Sequence, residues 1–178
     1  MAKCHPVSRS RRLRAPRVVL LSDARNDAVL DRALARLPAG SALVFRHYHL
    51  DPAARAKRMK GLARLARLYG VAFVLSGVGY GPARHLSRWG KGAGGLRLAT
   101  AHDMGELAGA ARARVDAVLL SPVFPTRSHP GAKGLGPLRF ALMARQCPLP
   151  VLALGGMDRR RAERLRAYGF AAIDGLSR

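Results

Sequence analysis

Short apolar runs, each followed by a polar or amphipathic stretch, recur along this chain from Arg17 to Ile173, and that alternation admits few folds. Arg17–Leu21 reads as a buried strand, and Asn26–Leu37 follows with Val29, Leu30, Ala33, Leu34 and Leu37 on one helical face. Ala42–Phe45 is the second strand. Asp51-Pro52 then supplies an N-cap and a first-turn proline to a helix with Met59, Leu62, Leu65, Ala66 and Tyr69 on one face, closed by Gly70. Val71–Leu75 is the third strand, and Ser76–Gly95, rich in glycine, is irregular. Regularity returns with a strand at Leu96–Thr100, a helix from Asp103 to about Arg112 and a strand at Ala117–Ser121. A helix at Pro137–Gln146, a strand at Val151–Leu154, a helix at Asp158–Tyr168 capped by Gly169 and a last strand at Phe170–Ile173 complete the series. Seven or eight strands separated by helices imply a parallel sheet, and that number favours a barrel over an open sheet.

Two of these runs stop in chemically pointed loops. Leu119–Lys133 (LLSPVFPTRSHPGAK) and Pro150–Met157 (PVLALGGM) each end in hydroxyls, glycines or basic residues, which is how a parallel strand delivers a phosphate-binding loop. Gly155-Gly156 lets backbone approach an oxyanion, and a helix beginning near Asp158 offers unsatisfied N–H groups. An anionic ligand at the carboxyl edge of the sheet is the reading that follows.

Charge agrees with an anionic ligand without selecting one. The formal net charge is +22, and 27 of the 32 basic residues are Arg, spread along nearly the whole chain. Such a field draws nucleic acid, phosphorylated metabolites and anionic surfaces alike. Its dispersion, with only 6% aromatic residues, argues against a dedicated nucleic-acid face; a nucleic-acid-associated basic protein remains the third functional alternative. Cys4 and Cys147 stand far apart without a CxxC spacing, so neither a disulfide framework nor a zinc site is indicated. The basic stretch 1–16 reads as a disordered arm. Its following apolar run is too short for a signal peptide or membrane span, so 17–178 is expected to be one cytoplasmic domain with no membrane contact.

The strand-end sequences LSD (Leu21–Asp23), FRH (Phe45–His47), TAHD (Thr100–Asp103), SPVFPTRSHPGAKGLGPL (Ser121–Leu138) and LPVLALGGM (Leu149–Met157) together resemble the thiamine phosphate synthase/TenI superfamily. The PVFPT and ALGGM blocks carry most of that resemblance. It implies a TIM-type (β/α)8 barrel that couples a pyrimidine methyl diphosphate to a thiazole phosphate with Mg²⁺ and releases pyrophosphate. It also implies that Thr126, Ser128, Gly155 and Gly156 hold the thiazole phosphate. Arg46, His129 and Lys133 would handle the diphosphate as the catalytic group.

Departures from the family pattern are specific. Of the family's Gln-x-Arg-x-Lys run, matched by Val44, Arg46 and Tyr48, only the arginine is present. The family's Asn-Asp pair, whose Asp binds Mg²⁺, is matched by Ser76 and Gly77; glycine offers a metal only its carbonyl, so the metal ligands are unassigned, with Asp23 and Asp103 the nearby strand-end carboxylates. Pro122 stands where the tautomerase branch has a histidine, which disfavours isomerisation by that route, and His102 reads as a helix cap or a hydrogen-bonding strand-end residue before a proton shuttle. About twenty loop-like residues separate Leu75 from Leu96, and the Gly77–Gly81 segment (GVGYG) or Gly92–Leu98 must supply the fourth strand. The helix after strand three and the final helix are therefore expected to be missing or reduced. The apolar strand faces this uncovers would suit a homodimer. A phosphate-binding relative without synthase activity is the second functional alternative, favoured by the loss of the metal Asp.

Overall fold

A computed structural model of the chain describes residues 15–86, 95–127, 131 and 133–177. Eight parallel strands form one sheet: β1 (Val18–Leu21), β2 (Ala42–Phe45), β3 (Ala72–Leu75), β4 (Tyr80–Pro82), β5 (Leu98–Ala101), β6 (Ala117–Leu120), β7 (Val151–Leu154) and β8 (Gly169–Ala172). Their order is β3-β2-β1-β8-β7-β6-β5-β4, and a single Ser76–Tyr80 bridge joins the two ends into a nearly closed barrel. The α/β barrel read from the strand count is the architecture observed.

Period-two alternation explains why the strands are apolar without interruption. Val19, Leu21, Ala42, Val44, Leu98, Ala117, Leu119, Leu152 and Ala171 point inward and pack together, filling the barrel. The intervening residues Leu20, Leu43, Phe45, Ala99, Val118, Leu120, Ala153 and Phe170 point outward into a second cluster with the helices.

The helices are α1 (Leu30–Ala35), α2 (Pro52–Leu68), α3 (Met104–Arg112), α4 (Gly136–Gln146) and α5 (Arg159–Leu165). In α2 the face read from the sequence is the buried one: Leu62 and Ala66 are enclosed and Met59 and Leu65 pack beside them. Asp51 caps it, its carboxylate accepting the Ala53 and Ala54 N–H groups at 2.9 and 3.0 Å.

Three boundaries differ from the sequence reading. The expected helix at Asn26–Leu37 is split, because Ala24–Val29 forms a 3-10 helix and only Leu30–Ala35 is α-helical. A capping box from Asp23 and Asn26 tightens that first turn. The helix α5 ends at Leu165 rather than Tyr168, stopped by Arg166 in the left-handed region at φ 50°. Gly169 instead opens β8, where a Cβ would stand 2.3 Å from the Arg17 carbonyl oxygen, so its role is the close approach of β8 to the chain entering β1.

The GVGYG segment supplies β4, and only residues 76–79 link it to β3, with no helix between them. Backbone bonds from Val78 and Gly79 N–H to the Leu75 carbonyl (3.2 and 2.8 Å) fold this link into a turn. Gly79 fits there because a Cβ would lie 2.9 Å from Val74 Cγ1 and 3.1 Å from the Leu96 carbonyl. On the outer face of β3, Phe73 and Leu75 are only half-buried. Among the described residues, β8 is followed by a 3-10 turn, Asp174–Leu176, whose Leu176 is buried.

The expected N-terminal arm falls mostly outside the described residues, as does Cys4. Cys147 is a half-buried free thiol. No helix among the described residues is long and apolar enough to cross a membrane.

Candidate functional site

All eight strand ends open on one cavity of about 1070 Å³ at the carboxyl edge of the barrel. This is the face where a barrel of parallel strands gathers loops from every βα unit. Four guanidinium groups line it, from Arg25, Arg46, Arg127 and Arg161, against three carboxylates, Asp23, Asp158 and Asp174.

On the β6–β7 side, Thr126, Gly155 and Gly156 all line the cavity, so the structure brings together three of the four residues read as phosphate-binding. Ser128 lies outside the described residues. The two glycines have positive φ, 95° and 60°. A Cβ on Gly155 would come within 2.7 Å of Pro122 Cα, and one on Gly156 within 2.7 Å of the Pro125 carbonyl. These glycines thus let the β7 loop pack directly against the β6 loop, a close approach of backbone to backbone. Bonds from Val123 N–H to the Leu154 carbonyl (2.8 Å) and Phe124 N–H to the Gly155 carbonyl (3.1 Å) lace the two loops together. The helix expected to present N–H groups there is short, seven residues. Its Asp158 cap already accepts the Arg161 N–H at 2.8 Å. Arg161 folds back, its guanidinium donating to the Gly156 carbonyl and stacking 4.9 Å from the Phe124 ring.

On the opposite side, the Arg46 side chain enters the cavity and makes no ion pair among the described residues. Its backbone is held on both flanks. The Arg46 N–H donates to Ser22 Oγ at 2.7 Å, and the next residue, His47, is fully buried and stacked on Phe45 with ring centroids 4.7 Å apart. His47 Nδ1 lies 2.7 Å from Ser22 Oγ and Nε2 lies 2.9 Å from Asp27 Oδ1, which also accepts from Arg58 Nε at 2.8 Å. Burial raises the Asp27 carboxyl, but the hydrogen bonds from His47 and Arg58, with their charges, outweigh it and hold the group below the ordinary 3.8.

Beyond Arg46, the Tyr48 hydroxyl is hydrogen-bonded to Ser76 Oγ, and the Arg46 guanidinium lies 6.0 Å from the Tyr48 ring centroid. Tyr80, 8% exposed, lines the same wall. Burial pushes its phenol up to about 12, Arg46 pulling it down and Tyr48 pushing it further up. The sequence reading missed Tyr80 as a site residue: inside a glycine-rich segment its strand register was open, and register alone aims it inward. Lys133 is exposed and does not line the cavity, so the structure does not bring it to Arg46; His129 lies outside the described residues.

The residues at the mouth do not suit the metal that the resemblance implies. Gly77, which the sequence reading matches to the family's metal-binding Asp, has φ +84° with nothing within 4 Å of where a Cβ would be. The carboxylates at the mouth have other tasks. Asp23 accepts from Arg25 Nε (2.9 Å) and N–H (3.2 Å), Asp174 meets Arg25 at 3.4 Å, and Asp158 caps α5. Burial raises the Asp23 carboxyl, yet the Arg25 hydrogen bonds and the charges of Arg25 and Arg46 leave it lowered. Asp103 caps α3 through the Glu106 N–H at 2.8 Å and does not line the cavity. A divalent ion that needs several oxygen ligands does not fit this wall. One group outside the cavity, Asp27, His47 and His49, holds its donor atoms within 4.8 Å of one another, with Asp27 and His47 already engaged as described. His102, whose backbone N–H and Nδ1 meet Glu106 Oε2 at 2.7 and 2.9 Å, is a hydrogen-bonding strand-end residue, and the cap of α3 is Asp103.

Residues 98–177 match the family model of thiamine monophosphate synthase. Thiamine phosphate pyrophosphorylase from Pyrococcus furiosus has a similar structure, with a TM-score of 0.68 at 19% identity over 89% of this chain and 85% of that one. No curated protein sequence matches the chain. Residues 98–177 thus resemble the thiamine monophosphate synthase family, and the whole barrel shares its fold with the pyrophosphorylase.

Proposed function

We propose that the protein is a thiamine phosphate synthase-type transferase that joins a pyrimidine methyl diphosphate to a thiazole phosphate inside the barrel mouth. The observation that carries this reading is the laced pair of β6 and β7 loops, which sets Thr126, Gly155 and Gly156 on one wall of the cavity, with Arg46, which has no ion pair among the described residues, lining the same cavity. The thiazole phosphate would sit at Thr126 and the glycine turn, the diphosphate at Arg46. In the coupling, the bond from the pyrimidine methylene to the diphosphate oxygen breaks, pyrophosphate leaves with the electron pair, and the thiazole nitrogen supplies the pair for the new C–N bond. Catalysis is then positional and electrostatic: Arg46 stabilises the departing anion while the enclosed mouth holds the two rings together.

A second reading, a phosphate-binding relative that does not perform the coupling, is favoured by one observation, Gly77 in place of the metal carboxylate. Incubation of the purified protein with both substrates, read by formation of thiamine phosphate, separates the two. Product formation that falls at least tenfold in Arg46→Met supports the transferase. Calorimetric binding of thiazole phosphate that weakens about fivefold in Thr126→Val, without product, supports the second reading. Binding of neither substrate refutes both.

A further inference from the structure

The wall opposite the glycine turn has a composition that a metal-assisted diphosphate site does not need. Arg46 lacks an ion pair among the described residues, Tyr48 and Ser76 share a hydrogen bond at the rim, and Tyr80 stands behind them. The Tyr80 hydroxyl has no hydrogen-bond partner among the described residues although the residue is only 8% exposed. The hydroxyl is not enclosed by protein: Tyr80 lines the cavity that Arg46 also lines, so its O–H is open to a ligand there. Among the described residues of this wall, Arg46, Tyr48, Ser76, Gly77 and Tyr80, none carries a carboxylate.

We propose that this wall binds a phosphate or diphosphate anion directly, without a divalent metal, through the Arg46 guanidinium and the hydroxyls of Tyr80, Tyr48 and Ser76. The proposal rests on reading the barrel mouth as the ligand site and deepens it by naming how the anion is held. The guanidinium supplies charge and paired N–H donors, and the hydroxyls supply neutral donors at fixed positions. Tyr80 stays protonated throughout the neutral range, because its phenol is pushed up to about 12, so it remains a donor to an anion. The β3–β4 link contributes by its shortness: with only residues 76–79 between the strands, Ser76 and Tyr80 are bridged to each other and stand side by side on the wall.

The test is calorimetric titration of the full chain with pyrophosphate, in EDTA and again in excess Mg²⁺, at about 150 mM salt to screen diffuse attraction to the basic surface. Binding in EDTA is expected to be at least as tight as in Mg²⁺, because the cation competes for the free anion. Tyr80→Phe is expected to weaken binding in EDTA about tenfold and Arg46→Met about thirtyfold. Arg139→Ala, an exposed change on α4, is expected to bind as the parent does. Binding that requires Mg²⁺ overturns the proposal, as does no pyrophosphate binding, or parental affinity in both Tyr80→Phe and Arg46→Met. Thiazole phosphate titrated in the same series keeps the two readings apart. Its failure to bind while pyrophosphate binds in EDTA removes the transferase assignment and leaves the metal-free anion site standing.

Discussion

Replacing Gly155 by alanine probes the contact on which the glycine-turn side of the mouth depends. Two costs are expected. At φ +95° an L side chain is strained by about 1–2 kcal/mol. The added Cβ would also lie 2.7 Å from Pro122 Cα, 2.8 Å from Pro122 Cβ and 3.2 Å from Val123 N, so the β6 and β7 loops must separate. Overpacking of this kind typically costs about 1–3 kcal/mol. Gly40 separates the two contributions, since it has φ +81° but nothing within 4 Å of its Cβ position. Gly40→Ala is therefore expected to lose only the conformational part. The difference between the variants, about 2 kcal/mol, is the collision itself. Urea unfolding reads it directly: at a slope of about 2 kcal/mol per M, Gly155→Ala should unfold about 1 M earlier than Gly40→Ala. Equal midpoints would refute the claim that the two loops meet so closely that only glycine fits, and with it the packing role of the Gly-Gly pair.

Three further outcomes follow from the buried network and the caps. His47→Ala removes a fully buried ring bonded to Ser22 and Asp27, and a loss of about 2–4 kcal/mol is expected by chemical denaturation; a loss below about 1 kcal/mol would mean the network adds little. Asp27 has a folded pKa below its unfolded 3.8, so its stabilisation is complete above that value and disappears as pH falls through the folded one. Stability should therefore decline below about pH 4 and decline less steeply in Asp27→Asn, while identical slopes would exclude Asp27 from the acid limb. Asp51→Ala leaves the Ala53 and Ala54 N–H groups at the start of α2 without their carboxylate, and about 1 kcal/mol should be lost in thermal unfolding, with no change in pyrophosphate affinity.

The parts of the site legible in the sequence are those whose signal is local. Proline spacing and paired glycines mark the β6 and β7 loops, and a strand end puts Arg46 at the mouth, because a residue's position along a parallel strand decides which edge it reaches. What else the paired glycines do there was not legible. The sequence reading gives them to an oxyanion, and the structure adds a packing role, with Pro122 and Pro125 filling the space where a Cβ would stand. Lys133 was read as a stand-in cation from its distance along the chain, and the structure leaves it exposed and away from the cavity.

Alternation of apolar runs with amphipathic segments was enough to determine a parallel α/β barrel, since each strand's two faces must both be apolar when one packs inside and the other against helices. It also determined the caps at Asp51 and Asp103, because capping is a property of a few adjacent residues. Only the tertiary structure decided where β4 lies, what the buried His47 holds, and that Tyr80 joins Arg46 on one wall. The reason is that these depend on strand register and on contacts between residues 20 or more positions apart, such as His47 with Asp27 and Ser22. No local pattern encodes such contacts before the barrel closes.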